Sequence, residues 1–462
     1  MNSAGTVDIK QAIETQAGQS QAGRRYGLFI LLACATTMLV EGYDVQVVAY
    51  AAPAIIRSWH IERAAFAPVF GAALFGYMLG ATVLSGLSDR FGRKRVIGAG
   101  NLWFGALTIV SAFATTIPEL LGLRFLAGLG LGCSIPAAMA LAVEYAPEQR
   151  RSFRVSMLFV GYALGAAAGG FLAAALMAQF GWQSAFLLGG SLSLTVGVAS
   201  FAVLPESVRF LAVRGRNPRE IASILRRLRP DLAITDTTRF VLVEDKAAGL
   251  PVRQLFAGGR ARLTVLLWAA FIMSLGCHYF LTSWLPTLLD ASGFPLTHAV
   301  AAAALIQAGG GLGSLGVGRL VDRVGMLAIA GSFLLAAPLI VLIGAATMPE
   351  PLLMVVVFLT GLFLLGGQIG LNALASTIYP TAIRSSGAGW ALGVGRFGSI
   401  MGPVVGGWLI GAGLSMAGLY AIAAVPAVLA AGLVVAVNRQ ATGPKTRPAT
   451  DILQVAETVP RM

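Results

Sequence analysis

The most constraining feature of this chain is a succession of apolar runs, each long enough to cross a bilayer and each closed by a short polar break. A hydrocarbon core about 30 Å thick needs about 20 apolar residues in a helix. Runs of that length fall at 26–56, 66–86, 96–116, 120–142, 155–178, 185–204, 263–286, 299–317, 326–347, 352–378, 387–411 and 418–437, which makes twelve. Of the 462 residues, 57% are hydrophobic and only 11% charged, a balance far from that of a water-soluble domain. The expected fold class is therefore an all-α membrane protein with twelve transmembrane helices.

The formal net charge of +13 does not point to nucleic acid, because Lys and Arg sit in short clusters between the apolar runs. The two tails and the alternate loops on their side hold 29 of the 33 basic residues; the opposite loops hold only Arg57 and Arg63, while Arg124 and Arg396 lie within spans. Basic loops stay in the cytoplasm, so both termini are expected there. The expected order is a cytoplasmic tail over 1–25, a six-helix bundle over 26–204, a cytoplasmic linker over 205–262, a second six-helix bundle over 263–437 and a cytoplasmic tail over 438–462. No cleaved signal peptide is expected, since no short apolar stretch with a small-residue cleavage site precedes the first span. The polar tail from Arg439 onward is expected to be disordered and dispensable. Cys34, Cys133 and Cys277 all fall in apolar runs, which suits core packing better than a disulfide or metal site. In the linker, Asn217-Pro218-Arg219-Glu220 predicts a short helix from about 218 to 228, either resting on anionic headgroups or simply solvated.

The chain also repeats itself. A shift of 233 residues overlays Gly80 on Gly313, Asp89-Arg90 on Asp322-Arg323, Gly92 on Gly325, Gly165 on Gly398 and Gly169 on Gly402. Two pseudo-symmetric bundles in the same orientation, related by an axis along the membrane normal, form the pattern of transporters whose site lies near the midplane between halves.

Two carboxylates interrupt the first span. Glu41 and Asp44 are three residues apart, which puts them on one face of a helix one turn apart. Acids at that depth are functional-site candidates by default, and two so close in low dielectric should titrate as a coupled pair. That is the chemistry of proton coupling.

The loop Gly86-Leu87-Ser88-Asp89-Arg90-Phe91-Gly92-Arg93-Lys94-Arg95 resembles the signature of the major facilitator superfamily, and Gly318-Arg319-Leu320-Val321-Asp322-Arg323-Val324-Gly325 is its weaker echo. The resemblance implies gating roles for Asp89, Arg90, Gly92, Arg93, Asp322 and Arg323, although the basic residues equally serve topology. Arg124, Gly128, Gly130, Gly132 and Pro136 in span 4 are similar to the superfamily's arginine-glycine motif on that helix. More narrowly, Glu41-Gly42-Tyr43-Asp44 resembles the acidic-Gly-Tyr-Asp signature of the aromatic acid:proton symporters. One position departs, because the first acid of that motif is more often Asp.

This resemblance implies a non-enzymatic, proton-coupled importer of benzoate- or hydroxybenzoate-like acids in a bacterial inner membrane, functional as a monomer. No cofactor is expected beyond the proton as coupling ion. It also implies roles for the span 1 acids and for the arginines of spans 4 and 11. Arginine holds a carboxylate bidentately and stays charged when buried. Arg396 lies near mid-bilayer, whereas Arg124 is as well explained by a structural ion pair. Tyr43, Tyr279 and His278 are candidates for a ring slot, against the plainer roles of packing for the histidine and lipid-facing or interfacial anchoring for most span 7 aromatics, Trp284 above all. An aliphatic acid such as muconate, a sugar acid, or a receptor for such acids are the alternatives.

Overall fold

The computed structural model describes residues 6–9, 12, 21–146, 151–215, 217–230, 234, 238–241, 251–345, 348–380 and 383–442. The tail beyond 442 lies outside them. Six long helices come before the linker: α1 (Gln21–Trp59), α2 (Ala67–Leu79, prolonged by a π turn over Gly80–Leu84), α3 (Arg93–Ser111), α4 (Ile117–Glu144), α5 (Arg151–Phe180) and α6 (Gln183–Val203). Six follow it: α7 (Ala261–Ala291), α8 (Leu296–Val324), α9 (Leu327–Gly344), α10 (Glu350–Ala375), α11 (Arg384–Gly411) and α12 (Met416–Thr442).

Among the described residues, ten of these helices are long and apolar enough to span a membrane unaided; α3 and α11 are not. The reason is local. α3 opens on Arg93-Lys94-Arg95 and α11 carries Arg384 and Arg396, so neither offers a long uncharged window. Both nonetheless occupy positions that mirror a spanning partner. α1 packs on α5 and α6 as α7 packs on α11 and α12, while α3 packs on α4 and α6 as α9 packs on α10 and α12. Across the halves, α5 meets α8 as α2 meets α11.

The repeat reaches down to single atoms. A Cβ on Gly165 would fall on the Leu39 carbonyl of α1, and one on Gly398 would fall on the Ile272 carbonyl of α7. Gly80 stands likewise against the Leu129 carbonyl, and Gly313 against that of Leu362. Each contact maps onto its counterpart by the same shift of 233. Helix association in lipid relies on such close backbone approach, since no hydrophobic force draws apolar helices together there.

The linker folds against the first half. Pro218–Leu228 is a helix, and its stripe of Ile221, Ile224, Leu225 and Leu228 is buried against the start of α1. Its apolar face is therefore covered by the first half. Arg227 lies over the Tyr26 ring at 5.7 Å. One departure from the all-α expectation is a two-stranded parallel sheet outside the spans, Thr6–Asp8 with Arg239–Val241; strands of three residues leave no alternation to read.

At the end remote from the tails the halves are in contact. Trp284 is fully buried, donates from Nε1 to the Pro403 carbonyl at 2.8 Å and meets Phe70 edge to face at 5.2 Å. It seals the interface between halves, which corrects the expectation of an interfacial anchor. Phe271 and Phe280 are buried as well. Beside them Arg57 of α1 forms an ion pair with Asp290 of α7. These two positions are also 233 apart, so the pair sits on the pseudo-two-fold axis itself.

A partly exposed ion pair contributes up to about 1 kcal/mol, or about fivefold in population. Arg57→Ala should therefore loosen this closed face. A Thr287→Cys probe beside Asp290 should react up to about fivefold faster with a membrane-impermeant maleimide in that background. Exchanging the charges (Arg57→Asp with Asp290→Arg) should slow it again; equal rates in all three would exclude a latch.

Candidate functional site

Between the halves lies a cavity of about 550 Å³. It reaches the tail side, where Thr82 of α2, Met139 of α4, Asn372 of α10 and Gly389 of α11 line it. At its blind end it meets the charged residues of the spans. This structure is open on the tail side and closed on the other.

α1, α3 and α4 build the first cluster. The Asp44 carboxylate accepts from Thr108 Oγ1 at 2.6 Å and lies 3.6 Å from Arg124 Nη1, while Arg124 Nη2 donates to Thr108 Oγ1 at 2.8 Å. Asp44 and Arg124 are each only 2% exposed. The guanidinium also stands over the Phe186 ring at 5.5 Å. Of the two roles open to Arg124, the structure shows the ion pair, with the cavity reaching both partners.

Glu41, one turn earlier, is fully buried, and neither of its carboxyl oxygens has a hydrogen-bond partner among the described residues. Asp44 has an arginine within ion-pair distance, and Glu41 has no basic partner among the described residues. An isolated buried carboxylate is so costly that such a group holds its proton instead.

Arg396 of α11 stands across the cavity. It donates to Tyr77 Oη at 3.1 Å and to Tyr279 Oη at 3.4 Å, and lies over the Tyr77 ring at 4.2 Å. Tyr162 joins the same wall. No acid lies within ion-pair distance of Arg396 among the described residues. Its tyrosine partners offer hydroxyls and ring faces, which orient the guanidinium but leave its charge unmatched. Hydroxyl neighbours and free N–H groups in an apolar pocket make a receptor for a carboxylate.

His278 also lines the cavity. It stacks on Tyr279 at 4.8 Å, and its Nδ1 has no hydrogen-bond partner among the described residues. Tyr43 does not line the cavity. Its hydroxyl donates to the Ala185 carbonyl at 2.7 Å and its ring fills the space left by Gly169 and Gly189, so its role as a substrate contact is corrected to one of packing. The cause is helical spacing: Tyr43 points toward α5 and α6, whereas Asp44 points toward α3, α4 and the cavity.

The loop after α2 holds a second network. Arg93 pairs with Glu144 at 2.8 Å and donates to Ser207 Oγ at 2.8 Å. Glu206 accepts from the backbone N–H groups of Arg93, Lys94 and Ser207 at 2.8, 3.3 and 2.8 Å, which places an anion at the positive end of α3. Gly92 has φ of +101°, and a Cβ there would strike the Glu206 carboxyl. Asp89, 76% exposed, reaches only Arg93, at 3.4 Å, and Arg90 lies over the Phe91 ring at 5.4 Å. Arg323 is exposed, and the Asp322 side chain lies outside the described residues. The described side chains of these gating candidates make no contact with the opposite half, as suits a face that is open.

Sequence reasoning missed Thr108, Tyr77 and Tyr162. The two tyrosines carried a signal, each being the sole tyrosine of its span and each needing a partner for a buried hydroxyl. Thr108 carried none.

The family model of the major facilitator superfamily matches residues 34–349. The chain belongs to that superfamily. It is 38% identical over 409 residues to the 4-hydroxybenzoate transporter PcaK of Pseudomonas putida, covering 88% of this chain and 91% of the relative. It is 37% identical over 427 residues to a gallate transporter of Pseudomonas putida, covering 92% and 94%. These relatives place it in the aromatic acid:proton symporter family. Among solved structures it is similar to a bacterial homologue of the human lysosomal transporter Spinster in an inward-facing, unoccupied conformation, with TM-score 0.67, 16% identity and coverage of 92% and 99%; this likeness concerns the fold.

Tyr43→Phe removes one buried hydrogen bond, worth about 1 kcal/mol. It should lower the thermal stability of the purified protein by a few degrees while leaving ligand affinity intact. A loss of affinity greater than tenfold would return Tyr43 to the substrate site.

Proposed function

We propose that the protein imports an aromatic monocarboxylate of the benzoate or hydroxybenzoate type together with a proton, across a bacterial inner membrane with both termini in the cytoplasm, and that it works as a monomer. The observation that carries this reading is Arg396: a half-buried guanidinium with no acid within ion-pair distance among the described residues, in an apolar cavity of the size that small-molecule sites have. The names of the relatives support the ring. Cavity walls such as Leu131, Phe159, Leu275 and Leu365 suit an aromatic face better than an aliphatic diacid or a sugar acid.

Coupling follows from charge balance. Asp44 and Arg124 neutralise each other in both states. Loaded, Arg396 is matched by the substrate carboxylate and Glu41 is neutral with its proton. Empty, Arg396 is matched by Glu41 once the proton has left. These two states are balanced, whereas a carrier holding only substrate or only the proton moves a net buried charge. Rocking between halves is therefore favoured for the two balanced states alone. Asp89 then docks on the opposite bundle when the tail side closes.

Substrate anion and proton cross together without net charge on this scheme. Uptake of 4-hydroxybenzoate into vesicles should follow an imposed pH gradient and be insensitive to an imposed membrane potential. Uptake driven by potential alone would overturn the balance.

Arg396→Ala should raise the apparent KM by about tenfold or more, the worth of hydrogen bonds to a charged group. Glu41→Gln should abolish accumulation against a gradient yet still exchange labelled for unlabelled substrate. Loss of both together would make Glu41 structural.

A further inference from the structure

The part of the cavity lined by α8 and α10 is apolar except for three carboxamides and a serine. Gln368 and Asn372 of α10, Gln307 of α8 and Ser314 all line it, and none of them belongs to the charged clusters described above. Gln368 is held in place from α7, where Ser274 Oγ donates to Gln368 Oε1. Gln368 Nε2 in turn donates to Asn372 Oδ1 at 3.2 Å. These two bonds fix both carboxamides and use only part of their capacity. One N–H of Gln368, both N–H groups of Asn372 and a second lone pair on each carbonyl oxygen remain.

Their height in the cavity follows from α7. Ser274, which holds Gln368, is followed by Leu275, which lines the cavity and packs on Gly395, the neighbour of Arg396. Arg396 and Gln368 are therefore attached to the same turn of α7, one through α11 and the other through α10.

We propose that Gln368 and Asn372, with Gln307 beside them, form a subsite that reads hydroxyl groups on the ring, so that the carrier selects hydroxylated aromatic acids over unsubstituted ones. This rests on the transport reading above. A phenol both donates and accepts, and the free edges of the carboxamides supply both partners. An unsubstituted ring displaces water from these groups and returns nothing, and a site built to hydrogen-bond a substrate hydroxyl discriminates strongly against the analogue that lacks it. A Gln and Asn four apart on a helix also pair simply as neighbours, and that role changes stability without distinguishing one acid from another.

The test is competition. Uptake of labelled benzoate by the full-length protein in proteoliposomes is measured against unlabelled 4-hydroxybenzoate and unlabelled benzoate, and the ratio of the two inhibition constants is the readout. In the wild type the ratio should favour 4-hydroxybenzoate by about tenfold or more, the worth of one good hydrogen bond. In Asn372→Leu and in Gln368→Leu it should fall toward one, whatever the absolute rate. Should these variants fail to reach the membrane, Ser274→Ala releases the Gln368 carboxamide without removing it and should lower the ratio several-fold. A wild-type ratio near one, or substitutions that weaken both acids equally, would overturn the subsite and leave the transport reading standing. A wild type that accumulates neither acid would overturn both.

Discussion

Charge in hydrocarbon must be matched inside the protein, and the structure is arranged around that requirement. Asp44, Arg124 and Arg396 line the cavity, and Glu41 lies buried one turn from Asp44 on α1. Asp44 and Arg124 form an ion pair at 3.6 Å and both bond the Thr108 hydroxyl between them. The remaining two do not. Glu41 is buried with no basic partner among the described residues, and Arg396 rests on tyrosine hydroxyls and a ring face. A fully matched set would be an inert core. Leaving one acid and one base without permanent partners creates two vacancies of opposite sign, which a proton and a carboxylate can fill.

The two halves share a backbone plan and divide the chemistry. The Gly165 contact that brings α5 to α1 recurs at Gly398 between α11 and α7, atom for atom. The charged residues of the cavity do not recur: a shift of 233 takes Asp44 to Cys277, Arg124 to Val357 and, in reverse, Arg396 to Ala163. The first half thus holds the acids and their counter-ion, and the second holds the free cation. Neither half alone completes the set.

The fold was legible in the sequence because bilayer thickness, basic loops and an internal repeat are long-range regularities that no single contact can disguise. Even so, α3 and α11 are poor spans by composition, and their place is set by the helices they pack on. Arg396 and the Glu41–Asp44 turn were legible because charge in an apolar run has few explanations. What was not legible was direction. Tyr43 and Asp44 are adjacent, yet one faces α5 and α6 and the other faces the cavity. Arg124 and Arg396 look alike in sequence, yet one has a carboxylate within ion-pair distance and the other has only hydroxyls and a ring face among the described residues. Such differences are settled by which helix stands opposite, and Thr108, Tyr77 and Tyr162 come from helices whose own sequences say nothing of it.

The Arg57–Asp290 pair carries a further consequence. A residue on a two-fold axis faces its own counterpart, so two identical halves would set arginine against arginine or aspartate against aspartate there. Attraction at that point is open only to halves that are covalently joined and have drifted apart in sequence. A carrier assembled from two copies of one half could close its remote face by packing alone. This chain closes it with opposite charges, which makes the latch a product of divergence after duplication.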